Sequence, residues 1–348
     1  MEHQLQNFIA GLPWQSMPWA AWAVLLGMIA GSLMLLGYAA DWLVKEAVVL
    51  SERSGLSKVV IGATIVSLGT TMPEVAVSVL AAIGGSSELA MGNAVGSIIC
   101  DTGLILGIAC LIAPLPLHRN IVNRQGWVQF ASGLLLVAVS WPLAAASTAF
   151  SEGGRMPQVA GFVMLGLLVL YIWQSIRWAR LDRDPVSLEE FEEDENRPTG
   201  IVVVKLLLAV ALVVLSSHLL IPAVREAAVR LSVPEGIIAA TLVAFGTSLP
   251  ELVTAVTAAR RGHGDLAVGN VVGADILNVL FVAGAAAAVT PAGLEVSPQF
   301  FRVLFPSMLF VLLVFRIGIF VSGDHLNRVF GVVLLLTYVA ATTASYLL

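Results

Sequence analysis

Charged residues are scarce in this chain of 348 residues. Only 12% of the residues are Asp, Glu, Lys or Arg, whereas 58% are hydrophobic, and the mean hydropathy is +0.92. A soluble domain carries about twice that charged fraction, because its surface must stay hydrated. The apolar residues also form blocks long enough to cross a bilayer, which takes about 20 residues each. The composition therefore excludes an ordinary soluble protein and predicts a membrane protein.

Cysteine and histidine are also rare. The two cysteines, Cys100 and Cys110, fall ten residues apart in one apolar segment. On a helix they are separated by about 15 Å along the axis and cannot form a disulfide with each other. The five histidines are scattered, and no His-Glu-x-x-His motif or nucleophile–base set is present. An intramembrane hydrolase is therefore not favoured, and we expect no enzyme activity.

Residues 1–18 contain no Lys or Arg, so no cleavable signal peptide is expected.

The hydropathy pattern predicts an all-α membrane protein with ten transmembrane helices. Helices are expected because backbone groups in lipid must be satisfied within their own segment. Five helices belong to a first unit, residues 1–180, and five to a second unit, residues 199–348, with an acidic linker at 181–198. The predicted spans lie near 20–44, 58–83, 88–113, 126–148, 157–178, 200–223, 234–259, 265–290, 299–320 and 327–347.

Basic residues predict the orientation of the chain in a cell (inner) membrane. With the amino terminus outside, 14 of the 18 Lys and Arg residues fall on the cytoplasmic side, as the positive-inside rule requires. This orientation places the 181–198 linker in the cytoplasm. Eight acidic residues lie between Asp182 and Glu195. They lack the ligand spacing of an EF-hand, so we interpret the linker as a solvated tether rather than a calcium sensor.

An internal repeat relates the two units. Residues 60–109 align with residues 237–286 at a constant offset of 177 and without a gap. Because each unit has an odd number of spans, the second enters the membrane from the opposite side, which predicts two inverted five-helix repeats. The identical pairs include Ala63/Ala240, Thr64/Thr241, Gly69/Gly246, Thr70/Thr247, Pro73/Pro250, Glu74/Glu251, Gly92/Gly269, Asn93/Asn270 and Gly96/Gly273.

Glu74 and Glu251 both lie well inside predicted spans. Glu74 falls in the second span and Glu251 in the seventh. A carboxylate at this depth costs several kcal/mol or more unless it faces a cavity, a partner or an ion. Because the repeat relates the two glutamates, we predict that they share one site.

A proline precedes each glutamate by one residue. Pro73 and Pro250 have no N–H, so each breaks its helix and frees main-chain oxygens next to Thr70 and Thr247. Carboxylate, hydroxyl and carbonyl oxygens together suit hard cations such as Ca²⁺ or Na⁺. The spacing therefore predicts a cation site at two broken helices.

The third and eighth spans each carry one polar stripe at helical spacing. We predict that Asp101 and Asn278 are site residues, because packing of small residues does not explain them. Asn93 and Asn270 are either ligands or partners in hydrogen bonds between helices. Asp275 has no acidic repeat partner, and we expect it to cap or to hydrogen-bond locally. The stripes are Asn93, Ser97 and Asp101 in the third span and Asn270, Ala274 and Asn278 in the eighth.

These residues resemble the calcium/cation antiporter superfamily, in its bacterial sodium/calcium exchanger type. The resemblance rests on Gly-Leu-Ser-Lys-Val-Val-Ile-Gly-Ala-Thr-Ile-Val-Ser-Leu-Gly-Thr-Thr-Met-Pro-Glu at 55–74 and Gly-Asn-Ala-Val-Gly-Ser at 92–97. It recurs in Ile-Ala-Ala-Thr-Leu-Val-Ala-Phe-Gly-Thr-Ser-Leu-Pro-Glu-Leu at 238–252 and Gly-Asn-Val-Val-Gly-Ala-Asp-Ile-Leu-Asn at 269–278.

The resemblance implies a ligand set for calcium and sodium. Glu74 and Glu251 would be the central ligands, and Ala274 departs from the serine that is usual in the family. The family's first and sixth helices slide to alternate access, which here would be spans 20–44 and 200–223. The remaining implied site residues are Thr70 and Thr247, the carbonyls of Ser67 and Ala244, Thr71 and Ser248 in the same turns, Ser97 as a sodium ligand, and the pair Asp101 and Asn278.

The expected function is exchange of calcium for sodium by alternating access. The alternatives are a calcium (or other cation)/proton exchanger and a potassium-dependent sodium/calcium exchanger. Proton-coupled relatives tend to carry Gly-Asn-Ala-x-Glu, whereas this chain has Gly-Thr-x-x-Pro-Glu, which favours sodium. The expected partners are Ca²⁺, Na⁺ and the lipid bilayer, with no cofactor, nucleic acid or obligate protein partner.

Overall fold

The computed structural model is built almost entirely of helices. It describes residues 5, 8–9, 11–14, 16–117, 119–142, 148–181, 198–231 and 244–347. In chain order the helices are α1 (Pro18–Ser54), α2 (Lys58–Thr70), α3 (Met72–Ile83), α4 (Ser87–Ile112), α5 (Arg119–Ser140), α6 (Gln158–Leu181), α7 (Thr199–Arg230), α8 (Ala244–Thr247), α9 (Leu249–Arg260), α10 (Gly264–Ala288), α11 (Phe300–Val321) and α12 (Arg328–Leu347).

Seven helices in the described part of the chain are long and apolar enough to cross a membrane: α1, α4, α6, α7, α10, α11 and α12. The bent pair α2–α3 makes eight if it counts as one span. These helices confirm a mostly helical membrane protein.

Two of the ten predicted spans are not counted among these. Helix α5 covers most of the fourth, but Arg119, Arg124 and several amide side chains lower its hydropathy. Part of the seventh, residues 234–243, lies outside the described residues, as do residues 182–197 of the acidic linker. The count of ten therefore stays a prediction.

Helix α1 extends ten residues beyond its predicted end. The predicted span stops at residue 44 because polar residues follow, yet Glu46 is only 2% exposed. The Trp42 indole N–H donates to Glu46 Oε1 at 3.1 Å, and Lys205 Nζ of α7 lies 3.9 Å from the same oxygen. Because α1 packs along α7, this polar contact is buried and the helix continues through it.

The second predicted span is broken, as its proline predicts. Helix α2 ends at Thr70 and α3 begins at Met72, with a bend of 45°. The new helix starts where the N–H of Val75 donates to the carbonyl of Thr71 at 3.2 Å. Each proline occupies the first turn of its new helix, where a missing N–H costs nothing. The same break separates α8 from α9 in the second unit.

Glycines bring α10 against the backbone of α2. A Cβ built on Gly269 would lie 2.2 Å from the carbonyl oxygen of Val59, and one on Gly273 would lie 2.5 Å from Cα of Ala63. Only glycine therefore permits this contact. It places the polar stripe of α10 directly beside the broken helix α2.

Two short antiparallel ribbons connect loops at the ends of the helices. Strand β1 (Leu115–Pro116) pairs with β4 (His325–Leu326), and β2 (Gly154–Met156) pairs with β3 (Leu294–Val296). The hydropathy pattern did not predict these strands, because two or three residues form them only through a distant partner. They join the first unit to the second without changing the helical architecture.

The close contact at Gly273 predicts that alanine substitutions at Gly273 and at its repeat partner Gly96 differ in their effect on stability. Gly273→Ala places a methyl group against the backbone of α2, whereas Gly96→Ala, its repeat partner, meets no atom within 4 Å. Overpacking costs about 1–3 kcal/mol, so we expect Gly273→Ala to lower the midpoint of thermal unfolding by several degrees. Gly96→Ala should leave the midpoint nearly unchanged. Equal midpoints for the two variants, measured in detergent, would contradict the close packing.

Candidate functional site

Glu74 and Glu251 occupy equivalent places in the structure. Each lies in the first turn of the helix that follows a break, α3 for Glu74 and α9 for Glu251, and each is 1% exposed. A helix N-terminus favours a negative charge at this position. Within the described part of the chain, no basic side chain forms an ion pair with either carboxylate. Two buried acids thus lie at the helix breaks without a basic partner.

Hydroxyl groups at each helix break donate hydrogen bonds to the glutamate at the other break. The Thr71 hydroxyl donates to Glu251 Oε1 at 3.2 Å, and the Ser248 hydroxyl donates to Glu74 Oε1 at 3.4 Å. Thr71 and Ser248 are repeat partners, so each motif donates to the glutamate of the other. The structure therefore brings both motifs into one site.

A second set of contacts links the breaks to α4. The Thr247 hydroxyl donates to Asn93 Oδ1 at 3.2 Å, and Asn93 Nδ2 donates to the carbonyl of Glu74 at 3.1 Å. Asn93 thus makes the hydrogen bonds between helices that were one of its two predicted roles. Its repeat partner Asn270 is fully buried, and neither polar side-chain atom has a hydrogen-bond partner among the described residues.

The remaining predicted residues of the breaks differ in their surroundings. The Thr70 hydroxyl faces Glu251 and also lies 3.4 Å from the Ser67 carbonyl. That carbonyl accepts the N–H of Thr71 at 2.9 Å, so it already has donors. Ala244 begins α8, which puts its carbonyl one turn before the break.

Asp101 and Asn278 meet across the site. Asn278 Nδ2 donates to Asp101 Oδ2 at 3.2 Å, and both side chains are 1% exposed. Both lie in π-helical turns, Cys100–Ile105 within α4 and Asn278–Ala283 within α10. Such turns are rare and frequently occur at functional sites. The repeat-related acid and amide therefore form one pair, as the sequence predicts.

Several oxygens of these side chains accept no hydrogen bond from any residue that the structure describes. Burying an oxygen without a partner costs free energy, so native proteins rarely leave one bare. Here the bare oxygens belong to carboxylates, an amide and a hydroxyl, which are ligand types that hard cations bind. They are Glu74 Oε2, Glu251 Oε2, Asp101 Oδ1, Asn278 Oδ1 and Ser97 Oγ.

The donor set restricts which cations fit. Among the described residues, no three His, Cys, Asp or Glu side chains are close enough to hold a metal ion by themselves. Hydroxyl, amide or main-chain oxygens must therefore complete any coordination shell. An all-oxygen shell suits Ca²⁺ or Na⁺ and not a zinc site, which uses nitrogen and sulfur ligands.

One buried carboxylate has partners that the sequence does not reveal. Asp275 Oδ2 accepts hydrogen bonds from Thr102 of α4 and Gln129 of α5. The expected local hydrogen bond is therefore wrong, since both partners lie on other helices. The sequence offers one indication of a buried polar contact here, since Gln129 is a polar residue inside a predicted span.

Comparison with known proteins gives concordant results. The family described as "Sodium/calcium exchanger protein" matches residues 24–177 and 201–347. "Inner membrane protein YrbG" of Escherichia coli (strain K12) is 33% identical over 308 residues, which cover 87% of this chain and 90% of the relative. "Sodium/calcium exchanger MaX1" of Methanosarcina acetivorans is 30% identical over 333 residues, which cover 88% of this chain and 94% of the relative.

A solved structure of "the sodium-calcium exchanger NCX_Mj", soaked with 10 mM Na⁺ and no Ca²⁺, has a similar fold. The TM-score is 0.74 with 26% sequence identity, and the match covers 92% of this chain and 99% of the other.

The bare oxygens predict that a cation stabilises the protein. A ligand at about 100 times its dissociation constant stabilises the folded state by about 2.7 kcal/mol, so Ca²⁺ should raise the midpoint of thermal unfolding. Glu74→Gln and Glu251→Gln should each remove most of this increase, because each deletes a charged ligand. Glu295→Gln is the control, since Glu295 is exposed and pairs with Arg155. An unchanged calcium response in both glutamate variants would refute the site.

Proposed function

Because the chain belongs to the sodium/calcium exchanger family, we propose that it is a secondary active antiporter that exchanges calcium for sodium. The observation that carries the proposal is the set of bare, buried oxygens around Glu74 and Glu251. The ions would be cargo and not resident cofactors. Binding at this one site in alternation would couple the two flows.

The proposed architecture is ten transmembrane helices in two inverted five-helix repeats. The first repeat is residues 1–180 and the second is 199–348, with the linker at 181–198 in the cytoplasm and the amino terminus outside. The reciprocal contacts of Thr71 and Ser248 support the repeat, because each donates to the glutamate of the other unit. The cell inner membrane is the proposed location.

The proposed ligands follow from the contacts. Glu74 and Glu251 are central and take calcium or sodium. Ser97 has a bare hydroxyl, whereas its repeat partner Ala274 has none, so one sodium position has a ligand fewer. The further proposed ligands are Thr70, Thr247, Thr71 and Ser248, the main-chain oxygens of Ser67 and Ala244, and the pair Asp101 and Asn278.

The charge of the site supplies the coupling. Ionised Glu74, Glu251 and Asp101 place three negative charges in a buried cleft. Closing the empty cleft is costly, whereas cations offset the charge and make closure tolerable. Only the loaded carrier then reorients readily. An inside-negative potential favours sodium entry with calcium exit when more positive charge enters than leaves.

Helices α1 and α7 are the proposed moving elements. They pack along each other, and α7 also contacts both helix breaks. A Cβ on Gly69 would lie 2.3 Å from Val210 of α7, and a Cβ on Gly246 would lie 3.1 Å from Ile221 of the same helix. Sliding of α7 would therefore cover and uncover both halves of the site.

Proteoliposomes loaded with labelled calcium test this function. We expect calcium flux to follow an imposed sodium gradient at clamped pH, because sodium and calcium compete for the same oxygens. Glu74→Gln and Glu251→Gln should abolish the flux.

Glu295→Gln serves as the matched control and should transport normally, since that glutamate is an exposed residue of strand β3. Flux that follows only a pH gradient would instead assign the chain to calcium/proton exchange. Flux that requires potassium together with sodium would assign potassium-dependent exchange.

A further inference from the structure

Asp275 is a buried carboxylate beside the candidate site that the proposed transport does not use. It lies in α10 and is 1% exposed. Its Oδ2 accepts hydrogen bonds from the Thr102 hydroxyl of α4 and the Gln129 amide of α5. Gln129 Nε2 also donates to Thr102 Oγ1 at 3.1 Å. The three side chains form a closed cluster between three helices, which we call the Asp275 cluster.

The donors of the Asp275 cluster are fully used. Gln129 has two side-chain N–H bonds, of which one goes to Thr102 and one to Asp275, and the single O–H of Thr102 goes to Asp275. Asp275 therefore acts as a double acceptor at one oxygen. Burial favours the neutral form of a carboxylate, whereas the hydrogen bonds that it accepts favour the ionised form. Its other oxygen, Oδ1, is buried and bare.

Among the described residues, no Lys, Arg or His forms an ion pair with Asp275. The charged group that it affects electrostatically is Asp101 of the candidate site, which directly precedes Thr102 in sequence. A buried charge needs a counter-charge. A cation bound at the candidate site would supply this counter-charge.

The Asp275 cluster exists on only one side of the repeat. The repeat partner of Asp275 is Ile98, and the repeat partner of Thr102 is Val279. Neither partner can carry charge or donate a hydrogen bond from its side chain. The cluster therefore adds one negative charge that the repeat does not require.

We propose that Asp275 is ionised when a cation occupies the candidate site, and that it is a specificity-determining residue that favours Ca²⁺ over Na⁺ there. The inference rests on the proposed function for the identity of the two cations. A fixed charge attracts a cation in proportion to the charge of that cation. The free energy that Asp275 contributes to binding is thus twice as large for calcium as for sodium, and the calcium affinity changes by the square of the sodium factor.

Asp275→Asn removes the charge and keeps an oxygen that can accept from Thr102 and Gln129. We expect the dissociation constant to rise about tenfold for calcium and about threefold for sodium. Thermal-shift titrations of the purified protein with Ca²⁺ alone and with Na⁺ alone measure both affinities and need no transport. Equal factors for the two cations, or no change for either, would overturn the proposal and make Asp275 a neutral structural group.

Gln129→Leu tests the same charge from a different helix. It removes a donor that favours the ionised carboxylate, so it should also weaken calcium binding more than sodium binding. Gln125→Leu is the matched control, because Gln125 lies one turn earlier in α5, is equally buried and donates to Ser175 instead. Gln129→Leu should add nothing in an Asp275→Asn background. A further selective loss of calcium in the double variant would contradict action through Asp275.

The comparison between Gln129→Leu and Gln125→Leu decides the matter if Asp275→Asn does not fold. Failure of the proposed function has a different signature. If the wild-type protein binds both cations with the predicted preference for calcium but does not exchange them, the proposed exchange is refuted. The proposed role of Asp275 is then retained.

Discussion

Glu74 and Glu251 are buried at two helix breaks, and neither has a basic partner in the described part of the chain. The rest of the site follows from this uncompensated charge. Helix N-termini and crossing hydroxyls from Thr71 and Ser248 stabilise one oxygen of each carboxylate. The other oxygen of each stays bare. The protein thus lowers the cost of burying the charge without removing it, and under the proposed function a cation supplies the remainder.

The scaffold holds these groups by close backbone packing rather than by further polar contacts. Gly269 and Gly273 let α10 rest on the main chain of α2, so the polar stripe of one helix reaches the break in the other. The π-helical turns then direct Asp101 and Asn278 toward each other. The Asp275 cluster, which lies between α4, α5 and α10, adds a negative charge that has no repeat-related counterpart. The twofold symmetry of the glutamates therefore coexists with an asymmetric electrostatic surrounding.

Sequence reasoning predicts which residues come together at the helix breaks better than it predicts their surroundings. Glu74, Pro73 and their repeat partners are detectable because carboxylates and prolines are costly in a span, so their repetition carries information. The π-helical turns, the length of α1 and the partners of Asp275 depend on contacts between distant helices. Such contacts leave no periodic signal. Glu46 shows the difficulty, since its charge suggests the end of a span although Trp42 and Lys205 bury it.

The central claim is that the two glutamates share one cation. A crystal structure of the protein soaked in calcium tests this most directly. The account predicts one ion bound by both Glu74 and Glu251, with hydroxyl or main-chain oxygens of the helix breaks completing its shell. A calcium-soaked structure in which both glutamates have no bound ion would contradict it.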